Sequence, residues 1–408
     1  MSDPEGDPSR PLLGQAPFAL FWCSRVLSTV AFQIQAVAVG WTIYALTDSA
    51  FALGLVGLAQ FLPMVALTLV VGQVADRYDR RRVVAICQTI EALTATTLTI
   101  GTLGGWLGRD GILALLVVVG AARAFEGPTM AALVPGLVPR AALQRATAWS
   151  ASANQTAQIV GPAIGGLLYA VGATAAFATA AAMFLLAALC ASLIRIVAAT
   201  RPREPVTLAS IFSGIVFIRL RPVLLGVISL DLFAVLLGGA TALLPIYARD
   251  ILGTGPWGLG LLRAAPAVGA LAMSVVLGRN PMERRVGPTL FAAVITFGLA
   301  TVLFGLSTDL RLSLAALALL GAADVVSVVI RFALVQLRTP DEMRGRVSAV
   351  NYLFVGTSNQ LGEFESGLTA ALFGAVPAVL IGGIGTVLVA LAWMRLFPQL
   401  RRIHSLDG

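Results

Sequence analysis

Twelve apolar stretches run the length of the chain, separated by short polar loops, and each exceeds the roughly 20 residues that a helix needs to cross a hydrocarbon core. In lipid a backbone must satisfy its own hydrogen bonds, so single stretches of this kind can only be helices. The expected fold is therefore an all-α membrane protein with twelve transmembrane helices. Composition agrees, with 58% hydrophobic and 12% charged residues and a mean hydropathy of +0.89, far from the balance of soluble domains. Residues 1–16 hold Asp3, Glu5, Asp7 and Arg10 without the basic start of a signal peptide. The stretch after them is too long for a signal core, so it is expected to stay as a membrane anchor.

The 28 basic residues are all arginine, and their placement decides what they do. Twenty-one lie in alternate loops and the tails, among them Arg77, Arg80, Arg81, Arg82, Arg201, Arg203, Arg284 and Arg285, whereas the opposite loops hold only Arg109, Arg249 and Arg311. Arginine-rich loops remain cytoplasmic. The bias predicts an even number of crossings in the inner (plasma) membrane with both termini cytoplasmic. It also makes the net charge of +8 topogenic, so no nucleic-acid partner is expected.

Enzyme and cofactor chemistry find little support. Without a lysine the chain has no Walker A lysine, so energy must come from a gradient and not from ATP. His404 is the sole histidine and lies in the tail, which removes histidine-based triads and metal sites. Gly253, Gly255 and Gly258 spell GxGxxG, but they join two membrane stretches with no strand before them. Cys23, Cys87 and Cys190 sit within apolar stretches, where small buried hydrophobes are the expected reading. No metal, cofactor or enzymatic activity is expected.

One long polar interruption, residues 198–207, divides the chain six plus six. The expected organisation is a tail at 1–16, a six-helix bundle at 17–197, a linker at 198–220, a second six-helix bundle at 221–397 and a tail at 398–408. Within the linker Leu208, Ile211, Phe212 and Ile215 recur at helical spacing, which predicts a helix lying along the interface. A shift of 201 residues superposes Gly120 on Gly321, Pro139 on Pro340, Arg145 on Arg346, Gly161 on Gly362 and Gly166 on Gly367. The fourth and fifth stretches thus repeat as the tenth and eleventh, which predicts two pseudo-symmetric bundles with a site between them.

Three groups of residues carry chemistry. The loop GQVADRYDRRR places Gly72, Asp76, Arg77, Arg80 and Arg81 at the end of the second stretch; Gly72 permits close helix approach, and Asp76 can meet a helix N-terminus or an arginine in one conformation and leave it in another. In the fifth stretch, GPAIGG sets Gly161 and Gly165 as a small-xxx-small face, with Pro162 removing a donor and Gly166 following. Arg123 and Glu126 form an i, i+3 pair inside the fourth stretch, and charges within a bilayer default to functional roles. Further candidates for proton coupling or the cavity are Arg25, Asp231, Asp324 (which aligns with Arg123 at the 201-residue shift) and Glu363, with Glu91, Arg263, Arg331 and Glu365 also inside stretches. Gln33, Gln35, Asn154, Gln158 and Asn359 could offer neutral hydrogen bonds to a solute.

The loop resembles motif A of the major facilitator superfamily, with Asp79 where the family has a second glycine. GPAIGG resembles the family's antiporter motif C, with Ala157 in place of a preceding glycine, and Arg123 to Gly127 follow its RxxQG pattern with Glu126 for glutamine. LDLFAVLLGGATALLPIYA at 230–248, GLLRAAPAVGA at 260–270 and MRGRVSAVNYLF at 343–354 look like the branch containing the enterobactin exporter and related drug:proton antiporters. The resemblance implies a monomeric secondary active transporter that exports a small amphipathic drug or siderophore against protons by alternating access. Its partners would be the solute, protons and the lipid bilayer. Other readings of the same features are an importer or lysolipid flippase on this scaffold, or a non-transporting membrane scaffold or receptor.

Overall fold

The computed structural model describes residues 12–195, 208–280 and 285–405. Most of the expected N-terminal tail and linker residues 198–207 lie outside the described residues. Within them there is no strand. The helices are α1 (Ala16–Thr47), α2 (Ala50–Arg77), α3 (Arg80–Leu103), α4 (Arg109–Leu133), α5 (Leu143–Val171), α6 (Ala173–Leu193), α7 (Leu208–Arg219), α8 (Pro222–Leu237), α9 (Gly255–Arg279), α10 (Val286–Leu306), α11 (Leu310–Leu337), α12 (Asp341–Phe373) and α13 (Ala375–Leu396). Helix α7 coincides with the expected linker helix, and at 12 residues it is too short to span a bilayer.

Among the described residues, ten segments are both long and apolar enough to cross a membrane. Helices α5 and α12, at 29 and 33 residues, have the length but not the apolarity. They contain Asn154, Gln155 and Gln158 in one case and Asn351, Asn359, Gln360, Glu363 and Glu365 in the other. These are the two stretches that the 201-residue shift superposes.

The seventh stretch, which opens the second expected bundle, is not a single unbroken helix. Gly238 and Gly239 end α8; a 3₁₀ turn at Ala240–Leu243, a helical turn at Leu244–Ile246 and a π-turn at Tyr247–Ile251 complete the span. Pro245 withdraws a donor, and the wider π-turn closes through Leu252 N–H donating to the Tyr247 carbonyl at 2.8 Å.

Contacts group Met1–Thr42 and Leu62–Pro205 into one unit, and Ile43–Phe61 and Val206–Gly408 into another. In the first, α6 shows how lipid inverts the soluble pattern. Its buried face sets Ala176, Ala180, Ala187 and Ala191 around Phe177 and Phe184, whereas Leu185, Leu186, Leu189 and Leu193 are more than half exposed. Lipid is as apolar as leucine, so the leucines can turn outward while the alanines let neighbouring helices pack closely around the two phenylalanines. The aromatic anchor of this unit is Phe18 and Phe21, buried with Met130, Leu133 and Ile194.

In the second unit, Gly298 of α10 and Gly383 of α13 face each other so closely that a Cβ on either would meet the other's carbonyl oxygen at 2.8 Å. The tips of α1 and α2 belong to this unit: Arg249 pairs with Asp48 at 2.7 Å, Tyr44 hydrogen-bonds Asp250, and Phe51 meets Phe364 edge-on at 6.2 Å. Helices α12 and α13 join through the single residue Gly374, whose φ of 93° favours glycine.

Candidate functional site

A polar centre occupies the interior of the first unit, built from α1, α3 and α4. Ser24 and Ser28 lie one helical turn apart on α1, as do Gln88 and Glu91 on α3 and Arg123 and Glu126 on α4. Arg123 Nη1 donates to Glu126 Oε2 at 2.9 Å. Ser28 Oγ and Gln88 Nε2 both donate to Glu126 Oε1, at 2.6 and 2.9 Å. Gln88 in turn shares hydrogen bonds with Ser24. On the other side of the guanidinium, Glu91 Oε1 lies 3.9 Å from Arg123 Nε, and the Phe32 ring stacks 4.1 Å from the guanidinium carbon.

The exposures differ in a way that matters. The Glu91 and Glu126 side chains are 0% and 4% exposed, whereas Arg123 between them is 31% exposed. Two sequestered carboxylates therefore share one cation that retains access to the outside of the bundle. The chemistry available is proton and ion binding, for which Arg123 offers a charge that can be exchanged between acids.

Helix α5 packs against α1 through the predicted small face. A Cβ on Gly161 would stand 2.6 Å from the Cβ of Gln33, and one on Gly165 would stand 2.9 Å from the Cα of Ile34. Gly161, Pro162, Gly165 and Gly166 are all buried. Gln33 is thereby committed to a helix contact. Gln35 is buried, while Asn154, Gln158 and Arg25 are half-buried.

Gly72 and Asp76 fall on the α2 backbone, but their side-chain environment lies outside the described residues. Arg77 is exposed, and Arg80 Nη1 donates to the Ala132 carbonyl at 3.0 Å. Asp79 caps α3: its carboxylate accepts from the Arg81 backbone N–H at 3.0 Å and from Arg81 Nη2 at 2.6 Å. That bond to Arg81 holds the Asp79 carboxyl below the usual carboxylate range. With φ at −61°, the position has no need of glycine, which accounts for the departure from the family motif.

The remaining candidates lie in the second unit. Asp231 of α8 and Arg331 of α11 form a buried ion pair, and Asp324 lines a small cavity with Asp231, Ser327 and Phe297. Glu363 of α12 lies against Gly57 of α2, where a Cβ would meet the carboxylate Oε2 at 3.0 Å, and it interacts electrostatically with Arg263. Asn359 is exposed and donates to the Val355 carbonyl of its own helix at 3.0 Å. Glu365 accepts from Thr369 at 2.8 Å.

Sequence reasoning passed over Ser24, Ser28 and Gln88 and treated Glu91 as one acid among many. The available signal was three pairs at i, i+3 or i+4 spacing in otherwise apolar helices, each able to turn a polar stripe inward.

Residues 8–407 match the family described as Transmembrane secretion effector. The enterobactin exporter EntS of Citrobacter koseri is 28% identical over 411 residues, covering 95% of this chain and 93% of the relative; that of Shigella boydii is 27% identical over 406 residues, with the same coverages. Among solved structures, an inward-facing bacterial homologue of the human lysosomal transporter Spinster aligns with a TM-score of 0.76 at 13% identity, over 97% of this chain and 99% of that one. A bacterial homologue of the iron transporter ferroportin aligns at 0.73 and 16%, over 97% and 100%. The match over residues 8–407 makes the chain a member of the transmembrane secretion effector family of major facilitator transporters.

Proposed function

We propose that this secondary transporter exports a small amphipathic solute, a drug or a siderophore, in exchange for protons, and that Glu91, Arg123 and Glu126 form the proton-binding centre. One observation carries the reading: two sequestered carboxylates flank a single guanidinium inside membrane-spanning helices. With both acids ionised the centre holds one net negative charge, and an uncompensated ion in a low-dielectric interior costs several kcal/mol. A bound proton removes that charge. Arg123, partly exposed, can then favour one acid or the other as the cavity changes, which couples proton transfer to conformation. Similarity to EntS, an enterobactin exporter by name, and the GPAIGG face on α5 support export over import.

The test uses everted membrane vesicles containing the transporter. An acid interior should drive uptake of a fluorescent amphipathic dye, a protonophore should abolish it, and Glu126→Gln should remove the dependence on the gradient. Dye uptake that ignores both the protonophore and the substitution would overturn proton coupling. Uptake driven only by the opposite gradient would point to import.

A further inference from the structure

The first unit contains a groove of about 540 Å³ running between the α2–α3 turn and the faces of α3 and α4, within the roughly 300–1,000 Å³ span of small-ligand sites. Glu91, Arg123 and Glu126 do not line it. Its floor is apolar, built from Ile90, Ala122 and Phe125 among others, and its polar residues gather at one end as Tyr78, Asp79 and Arg82. Ile86 and Val118, 59% and 43% exposed, form its lips, so it opens along the helix sides where acyl chains lie. From Arg82 to Ile90 the helix rises about 12 Å at 1.5 Å per residue. A single-ended polar rim over an apolar trough of that length has the polarity of a lipid.

Charge complementarity selects the headgroup. The Asp79 carboxylate is already occupied by the backbone and guanidinium of Arg81. Arg82 is exposed at the rim, with exposed Arg77 nearby in the turn. The N-terminal end of α3 adds its own partial positive charge, and basic pockets at the arginine-rich end of membrane helices favour anionic headgroups. We infer that the groove binds one anionic phospholipid, an acyl chain along the α3–α4 floor and the phosphate at Arg82.

Native mass spectrometry of the full chain in detergent, titrated with dioleoylphosphatidylglycerol or dioleoylphosphatidylcholine, tests this. One phosphatidylglycerol should be retained in preference to phosphatidylcholine. Arg82→Gln should weaken its retention roughly fivefold, the effect of about one basic residue near an anionic lipid, whereas Arg311→Gln should leave it unchanged. Val118→Trp at the exposed lip should block the groove without disturbing the core. Equal retention of the two lipids, or retention insensitive to both Arg82→Gln and Val118→Trp, would reduce the occupant to annular lipid and overturn the site. Loss of the lipid in proportion to added transported dye would make the groove a solute portal and overturn it equally.

Discussion

Replacing Arg123 with glutamine should destabilise the first unit by about 3 kcal/mol, the lower edge of the ~3–5 kcal/mol that follows removal of one partner from a buried ion pair. The lower edge applies because the guanidinium is 31% exposed, so solvent already screens part of its field. Glu126 keeps its Oε1 bonds to Ser28 and Gln88 but loses the charge-assisted bond at Oε2, itself worth ~1.5–3 kcal/mol. Adding Glu126→Gln should return most of the loss, since the uncompensated charge goes with it, leaving a coupling energy of about 2 kcal/mol in a double-mutant cycle. The assay is thermal unfolding of purified protein in micelles. At ~2–4 °C per kcal/mol for units of 150–250 residues, the single variant should melt about 6–12 °C lower. Glu91→Gln should act in the opposite sense, neutral or stabilising, because it removes the surplus negative charge. Strictly additive losses in the Arg123–Glu126 cycle, or a Glu91→Gln variant as unstable as Arg123→Gln, would refute the shared-cation centre.

Asp79→Ala removes the α3 cap and should cost about 1 kcal/mol. Because the Asp79 carboxyl is held low by Arg81, the charge-dependent part of the difference from wild type should be constant at neutral pH, begin to shrink near the ordinary carboxylate value of about 3.9 and be lost only as pH falls through the lowered value, read from unfolding midpoints across pH. Gly161→Leu drives a side chain into Gln33 and should cost ~1–3 kcal/mol through overpacking, lowering the yield of folded protein in size-exclusion chromatography. Asp324→Asn should leave uptake into everted vesicles responsive to the proton gradient, whereas Glu91→Gln should abolish that response; the reverse outcome would move the proton site to the second unit.

Much of the fold could be read from the chain because lipid permits so few solutions. Stretch lengths gave the helices, and the linker helix followed from the spacing of Leu208, Ile211, Phe212 and Ile215. The Arg123–Glu126 pair was legible for a similar reason: residues three apart on a helix share a face whatever surrounds them. Asp231 and Arg331 are 100 positions apart on different helices, and nothing in sequence selects that pairing from among the other buried charges. Ser24 and Ser28 were invisible because serine is common in membrane helices as a small packing residue, and only Glu126 opposite gives Ser28 a distinctive task. The break in the seventh stretch did have a signal, Gly238-Gly239 followed by Pro245, but an unbroken run of apolar residues concealed it.

The placement of polarity also favours the first unit as the seat of the proposed proton coupling. In the second unit the Asp231–Arg331 pair is balanced, acid against base, and buried on both sides. The additional acid, Asp324, shares with it a cavity of only about 10 Å³, at the lower limit for a single water. A proton there has little room for a relay. At Arg123 the balance is two acids to one base, and the base is open to its surroundings while both acids are not. A charge surplus that must be neutralised, joined to a cation that can be reached, gives protonation a consequence for the packing of α1, α3 and α4. Helix α5 is polar through the uncharged Asn154, Gln155 and Gln158, whereas α12 adds Glu363 and Glu365 to its amides. That polarity sets the two helices apart from the ten apolar spans, and under the proposed function it suits them to line the path of the solute.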